Sequence, residues 1–149
     1  EVGSSQLYYE SHVADGLDPA AVPTVVLLHG VGGNHASWFH QVTHWRSRCR
    51  VLVIDARGFG NSSDVEGQGQ TAFVDDLHAV LDAAQIDRPI LIGQSMGGGT
   101  ALSFACRWPA RVQALVRDTL ERWLGPAGAQ ADLPLPALIR NAGEKIVSR

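Results

Sequence analysis

The chain has 149 residues, 45% hydrophobic and 18% charged, with a net charge of −3, 16 glycines and 7 prolines without a repeat, and two cysteines. That describes one domain with a sizeable core and excludes disordered, collagen-like and disulfide-framed chains. With no basic surplus to hold phosphates and no apolar run near the ~20 residues of a membrane span, neither nucleic acid nor membrane is expected as a partner.

In chain order, residues 6–10 alternate and predict a short edge strand, and 16–23 form a loop punctuated by Gly16, Pro19 and Pro23. Residues 24–29 (TVVLLH) are a continuous β-branched apolar run, the pattern of a strand buried on both faces. A Gly-rich turn at 30–33 leads to a predicted helix over 36–47, with Trp38, Val42 and Trp45 spaced to face the sheet. Residues 50–55 (RVLVID) are a second buried strand, followed by a loop over 56–70. A second helix is expected over 71–84, with Thr71 as N-cap, Asp75 and Asp76 near the positive end of the dipole, and Val74, Leu77, Leu81 and Ala84 as the apolar stripe.

Residues 89–93 (PILIG) are a third buried strand, 96–108 a helix with almost no polar face, and 112–116 (VQALV) a fourth strand. This alternation predicts a parallel α/β sheet with helices on both faces and right-handed connections. The fourth strand would be an outer edge unless the tail covers it. An uncovered apolar edge invites pairing with another chain, so self-association is expected. Beyond Asp118 the pattern weakens. Residues 120–124 read as a helical turn, and 136–147 as a helix by spacing or a strand by composition. Cys49 and Cys106 read as packed thiols in a reducing compartment, and with no recognisable leader the reading is cytoplasmic, although the sequence opens at Glu1 rather than Met.

The sharpest chemical signal is Gly93-Gln94-Ser95-Met96-Gly97, a G-x-S-x-G between a predicted buried strand and a predicted helix. A serine on so tight a turn is held in a strained backbone. Glycines two before and two after it have no Cβ to clash as strand and helix fold back. The hydroxyl then projects above the C-terminal edge of the sheet, over a helix N-terminus that favours developing negative charge. His29-Gly30-Val31-Gly32-Gly33 closes the first buried strand. Its turn lets backbone N–H groups face the serine, and those of Val31 and Met96 would make an oxyanion hole. His29 reads as structural, its ring bonded to loop backbone.

Residues 55–62 (DARGFGNS) are Gly-rich but are not G-x-G-x-x-G, and no P-loop occurs, so nucleotide binding is set aside. Asp55 and Arg57 read as loop braces through charge-assisted hydrogen bonds. His40 and His44 stand at i, i+4 without a third ligand or an H-E-x-x-H, so no metal is assigned.

The HG turn, the D-x-R-G-x-G-x-S loop, the G-x-S-M-G-G elbow and the R-V-x-A-L-V strand, in this order over residues 22–118, resemble the α/β-hydrolase superfamily. They look most like its small esterase, enol-lactonase and methyl-ester carboxylesterase members. The resemblance implies the α/β-hydrolase fold, Ser95 as nucleophile, Val31 and Met96 as oxyanion donors, an ester or lactone as small-molecule substrate, and no cofactor. It also sets Trp38 where relatives line the acyl pocket, although the helical stripe reads it as core.

The family triad runs Ser, then Asp or Glu, then His. Here all six histidines (His12, His29, His35, His40, His44 and His78) precede Ser95. A serine without a base is a weak nucleophile. The chain therefore resembles the N-terminal half of a hydrolase, inactive alone, with a core over 1–118 and a partial cap or truncated C-terminal segment over 119–149. Asp118 and Glu144 stand where the family acid can fall, and each also reads as an ordinary turn or surface charge. His35 is nearest the mouth and is the one improvised base on offer, whereas His78 reads as a packed or surface residue. Two further readings share these motifs: a ligand-binding protein that no longer turns over, and a cofactor-free perhydrolase or haloperoxidase-like relative.

Overall fold

The three β-branched apolar runs become the centre of one sheet in the computed structural model, which describes residues 3–116. β1 is Tyr9–His12, β2 Thr24–Leu28, β3 Arg50–Ile54, β4 Ile90–Gly93 and β5 Ala114–Leu115. The order across the sheet is β1-β3-β2-β4-β5. β2 lies between β3 and β4 and pairs with both in parallel, β5 continues parallel beside β4, and β1 pairs with β3 antiparallel. Among the described residues β5 forms the edge beyond β4.

Alternation along each strand splits the apolar side chains between two faces. Val26, Leu28, Leu52, Ile54, Leu91 and Leu115 point to one face. There α2 (Phe73–Ala83) and α3 (Met96–Arg107) supply Leu77, Val80, Leu81, Ala101, Phe104 and Ala105. Each fully buried Leu, Val or Phe side chain contributes about 1.5–3 kcal/mol, so this layer holds most of the core. Val25, Leu27, Val51 and Val53 point the other way, toward Val42 and Trp45 of α1 (Phe39–Trp45) and toward Trp38.

Several boundaries move for local reasons. The first strand begins at Tyr9 rather than residue 6, because loop hydroxyls claim the preceding N–H groups: Gln6 N–H donates to Ser63 Oγ and Tyr8 N–H to Ser62 Oγ. The first helix is two pieces. A 3₁₀ turn, His35–Trp38, is capped reciprocally by the Asn34 and Ser37 side chains, and α1 follows it. Thr71 is not an N-cap. It sits inside a second 3₁₀ turn, Gly69–Ala72, and its hydroxyl donates to the Gln68 carbonyl, so α2 starts at Phe73 without a side-chain cap.

The α2 stripe also differs. Phe73 and Val80 are buried with Leu77 and Leu81, while Val74 is only half-buried. α3 stops at Arg107, and its helical period turns Cys106 outward, so that thiol is exposed rather than packed. Cys49 is half-buried, and burial pushes its thiol pKa up. The last strand shrinks to two residues behind the 3₁₀ turn Pro109–Arg111, with Gln113 N–H to the Pro89 carbonyl and Val116 N–H to the Leu91 carbonyl extending the ladder. The tail readings at 120–124 and 136–147, the boundary at 118, Asp118 and Glu144 lie outside the described residues.

Candidate active site

β4 ends at Gly93 and α3 begins at Met96, so Ser95 occupies the bend between them. Its backbone sits at φ 50°, ψ −113°, a conformation that costs a non-glycine residue about 1–3 kcal/mol. Its side chain is exposed and caps nothing. The two flanking glycines are required by contact. A Cβ on Gly93 would fall onto the Gly97 carbonyl, and one on Gly97 onto the Leu28 carbonyl. Any larger residue would push α3 off β2. Gln94 N–H to the Leu28 carbonyl (2.9 Å) and Gly97 N–H to the Gln94 carbonyl (2.9 Å) hold the bend.

The HG turn stands directly beside it. A Cβ on Gly30 would lie 3.3 Å from both the Gln94 carbonyl oxygen and Ser95 Cβ. His29 is 1% exposed, and its Nε2 accepts the Ala56 N–H at 3.0 Å. The proton must then be on Nδ1, which donates to the Gly30 carbonyl at 2.7 Å. Both ring nitrogens are thus engaged with loop backbone. The backbone N–H groups of Val31 and Met96 find no acceptor among the described residues. Val31 follows β2 and Met96 follows β4, at the end of the sheet where Ser95 also stands.

Asp55 and Arg57 brace different things. Asp55 is fully buried at the end of β3 and accepts from Asn61 N–H (2.8 Å), His35 N–H (2.5 Å) and His35 Nδ1 (2.9 Å). Burial alone would raise its pKa, but these donors together outweigh it and hold the carboxyl below its ordinary value. Arg57 is 2% exposed and forks onto Asp76 of α2 through Nε (2.8 Å) and Nη2 (2.5 Å). That hydrogen-bonded pairing drives the guanidinium pKa up. Sequence reading placed Asp76 at the helix dipole and missed it as the Arg57 partner. The residues stand 19 apart, and nothing in their spacing marks the pair.

The improvised base is not delivered. His35 Nδ1 faces Asp55, and Nε2 lies 3.6 Å from Glu10 Oε1, so the ring is turned to two carboxylates and makes no hydrogen bond to Ser95. His78 packs against Trp108 between α2 and α3, with ring centroids 4.5 Å apart. His40 stacks on Phe39. Trp38 packs against the Val25–Val51 layer, with Nε1 buried and unpaired. No three metal-binding side chains converge among the described residues, and no described helix is long and apolar enough to cross a membrane.

A small, mainly apolar pocket, open to solvent, is lined by Leu28, His29, Arg57, Phe73, Met96 and Thr100 among others. Ser95 is not in its lining. It lies below the bend, between the sheet and α2 and α3.

A family model described as the alpha/beta hydrolase fold matches residues 23–130. The chain belongs to the α/β-hydrolase family. Among relatives of this α/β hydrolase, the 2-hydroxy-6-oxo-2,4-heptadienoate hydrolase of Pseudomonas putida is 37% identical over 108 residues, covering 66% of this chain and 38% of that protein. The enol-lactonase of Burkholderia xenovorans LB400 superposes with a TM-score of 0.68 at 27% identity, over 75% of this chain and 42% of that one. Est816, described as an N-acyl homoserine lactone degrading enzyme, superposes with a TM-score of 0.68 at 33% identity, over 78% and 42%. The chain spans about two-fifths of the length of the curated relatives it matches.

Proposed function

We propose that this α/β-hydrolase chain carries the nucleophile and oxyanion donors of a serine hydrolase of carboxylic esters or lactones. Ser95 Oγ would attack the carbonyl carbon, and the Val31 and Met96 N–H groups would stabilise the resulting oxyanion. The alkoxide would leave with a proton, and water would release the acyl group. One observation carries this reading: an exposed serine in a strained φ 50° bend, wedged between glycines that admit no side chain, beside two unpaired N–H groups. A βα turn that only redirected the chain would not need the strain. The lactone substrates named for two structural relatives support the substrate class.

Among the described residues no base reaches Ser95. All six histidines precede Ser95, and His35 is held by carboxylates. Proton removal from Ser95 therefore requires a group outside the described residues. A non-catalytic ligand-binding protein is the alternative reading, because among the described residues no base is hydrogen-bonded to Ser95.

A fluorophosphonate probe separates the two readings. The catalytic one expects slow modification that maps to Ser95 and vanishes in Ser95→Ala. A folded chain that never labels would remove it. Among the described residues β5 is an edge strand, and an open edge of this kind supports association with a second copy. Light scattering is expected to show mass rising with concentration, and a monomer at all concentrations would refute that.

A further inference from the structure

The turn that bears the Val31 N–H is anchored at both ends to one neighbouring segment. At its start, His29 Nε2 takes the Ala56 N–H and Nδ1 holds the Gly30 carbonyl. At its end, His35 gives its backbone N–H and its ring Nδ1 to Asp55, which is itself fixed by Asn61 N–H. Between these anchors lie Gly30–Asn34, with a single internal backbone bond, Gly33 N–H to the Gly30 carbonyl.

The second anchor is built more heavily than a surface ion pair needs. Tyr8 packs its ring 5.0 Å from that of His35 and donates its hydroxyl to Glu10 Oε1 (2.7 Å). Glu10 Oε2 is taken by His12 Nε2, and Glu10 Oε1 stands 3.6 Å from His35 Nε2. β1 and the end of β3 thus grip one imidazole from two sides. A His–carboxylate pair of this kind orients an imidazole toward a serine in a triad. Here its other nitrogen is aimed at Glu10.

We propose that His35 is a positioning residue, which through Asp55 and Glu10 holds the Val31 N–H at the distance from Ser95 that an oxyanion donor needs. This rests on the reading of Val31 as such a donor. Hydrogen–deuterium exchange of the 149-residue chain at the Gly33 amide, the backbone N–H of this turn that is bonded to the Gly30 carbonyl, tests the latch without requiring Ser95 to react. His35→Ala is expected to speed exchange there at least about tenfold and to leave α3 unchanged. His35→Asn, whose side-chain N–H falls where Nδ1 does, is expected to return it close to the parent rate. Parent-like exchange in His35→Ala, or no recovery in His35→Asn, overturns the proposal. If His35→Ala does not fold, His35→Gln carries the test. Its amide reaches toward Glu10 rather than Asp55, so fast exchange supports the latch and parent-like exchange overturns it.

Phosphonylation of Ser95 reads the same device through chemistry. The rate constant for modification should fall in His35→Ala and recover in His35→Asn, with reagent binding unchanged. An unlabelled parent would count against Ser95 as nucleophile, and the exchange result would still decide the latch.

Discussion

On one side of the sheet α2 and α3 seal fifteen buried residues into a continuous layer; on the other, among the described residues, α1 with Trp38 and Cys49 covers four, and Ile90 and Ile92 are half-buried. Length accounts for much of this. α1 has 7 residues against 11 and 12 for α2 and α3, and at about 1.5 Å per residue it is too short to cross the sheet. The two halves of the site inherit the difference. The Ser95 bend is locked by α3 pressed on β2, where backbone contact leaves no slack. The HG turn feeds the 3₁₀ turn and α1 on the thin side, and polar anchors from His29 and His35 hold it instead of packing. The Ser95 bend is positioned by sterics and the HG turn by hydrogen bonds.

The largest expected effect lies on the thick side. Asp76→Ala strands a buried guanidinium and should cost about 3–5 kcal/mol by urea unfolding, whereas replacing both partners by Arg57→Met with Asp76→Leu should restore most of it. Phe104→Ala should cost about 3–5 kcal/mol, and Val42→Ala on the thin side no more than about 1 kcal/mol. Equal costs would break the inequality of the faces.

The smallest effect is in acid. Asp55 has a lowered pKa in the folded chain, so its stabilisation is fully present above the ordinary carboxylate value and is lost as pH falls through the folded one. Asp55→Asn should flatten the decline of stability from about pH 4 downward. An unchanged acid limb would mean that the anchor of the HG turn is not ionic.

The three central strands and the serine bend were legible because each depends on contiguous sequence: a β-branched run, or a pentapeptide whose glycines answer a local clash. The fold family followed from the order of three such motifs. Features that depend on distant partners were not legible. Arg57 with Asp76, and His35 between Asp55 and Glu10, join residues with no common spacing. Helix starts were misplaced because 3₁₀ turns at His35–Trp38 and Gly69–Ala72 satisfy apolar periodicity without being α-helical. Cys106 lies in an apolar segment, yet the helical period alone sends it outward. Composition of a segment does not reveal which of its residues face solvent.

The strand order has a consequence for synthesis. β2, the middle strand, is made before either of its neighbours, and β4 begins 36 residues after β3 ends at Ile54. At about 5–20 residues per second, one border of β2 waits roughly 2–7 s for its partner while the other is already paired. An apolar border left open that long is a template for any nascent chain nearby. Yield on a ribosome should therefore depend on the codons between Asp55 and Pro89, a stretch in which slow translation prolongs the wait for the strand that carries Ser95.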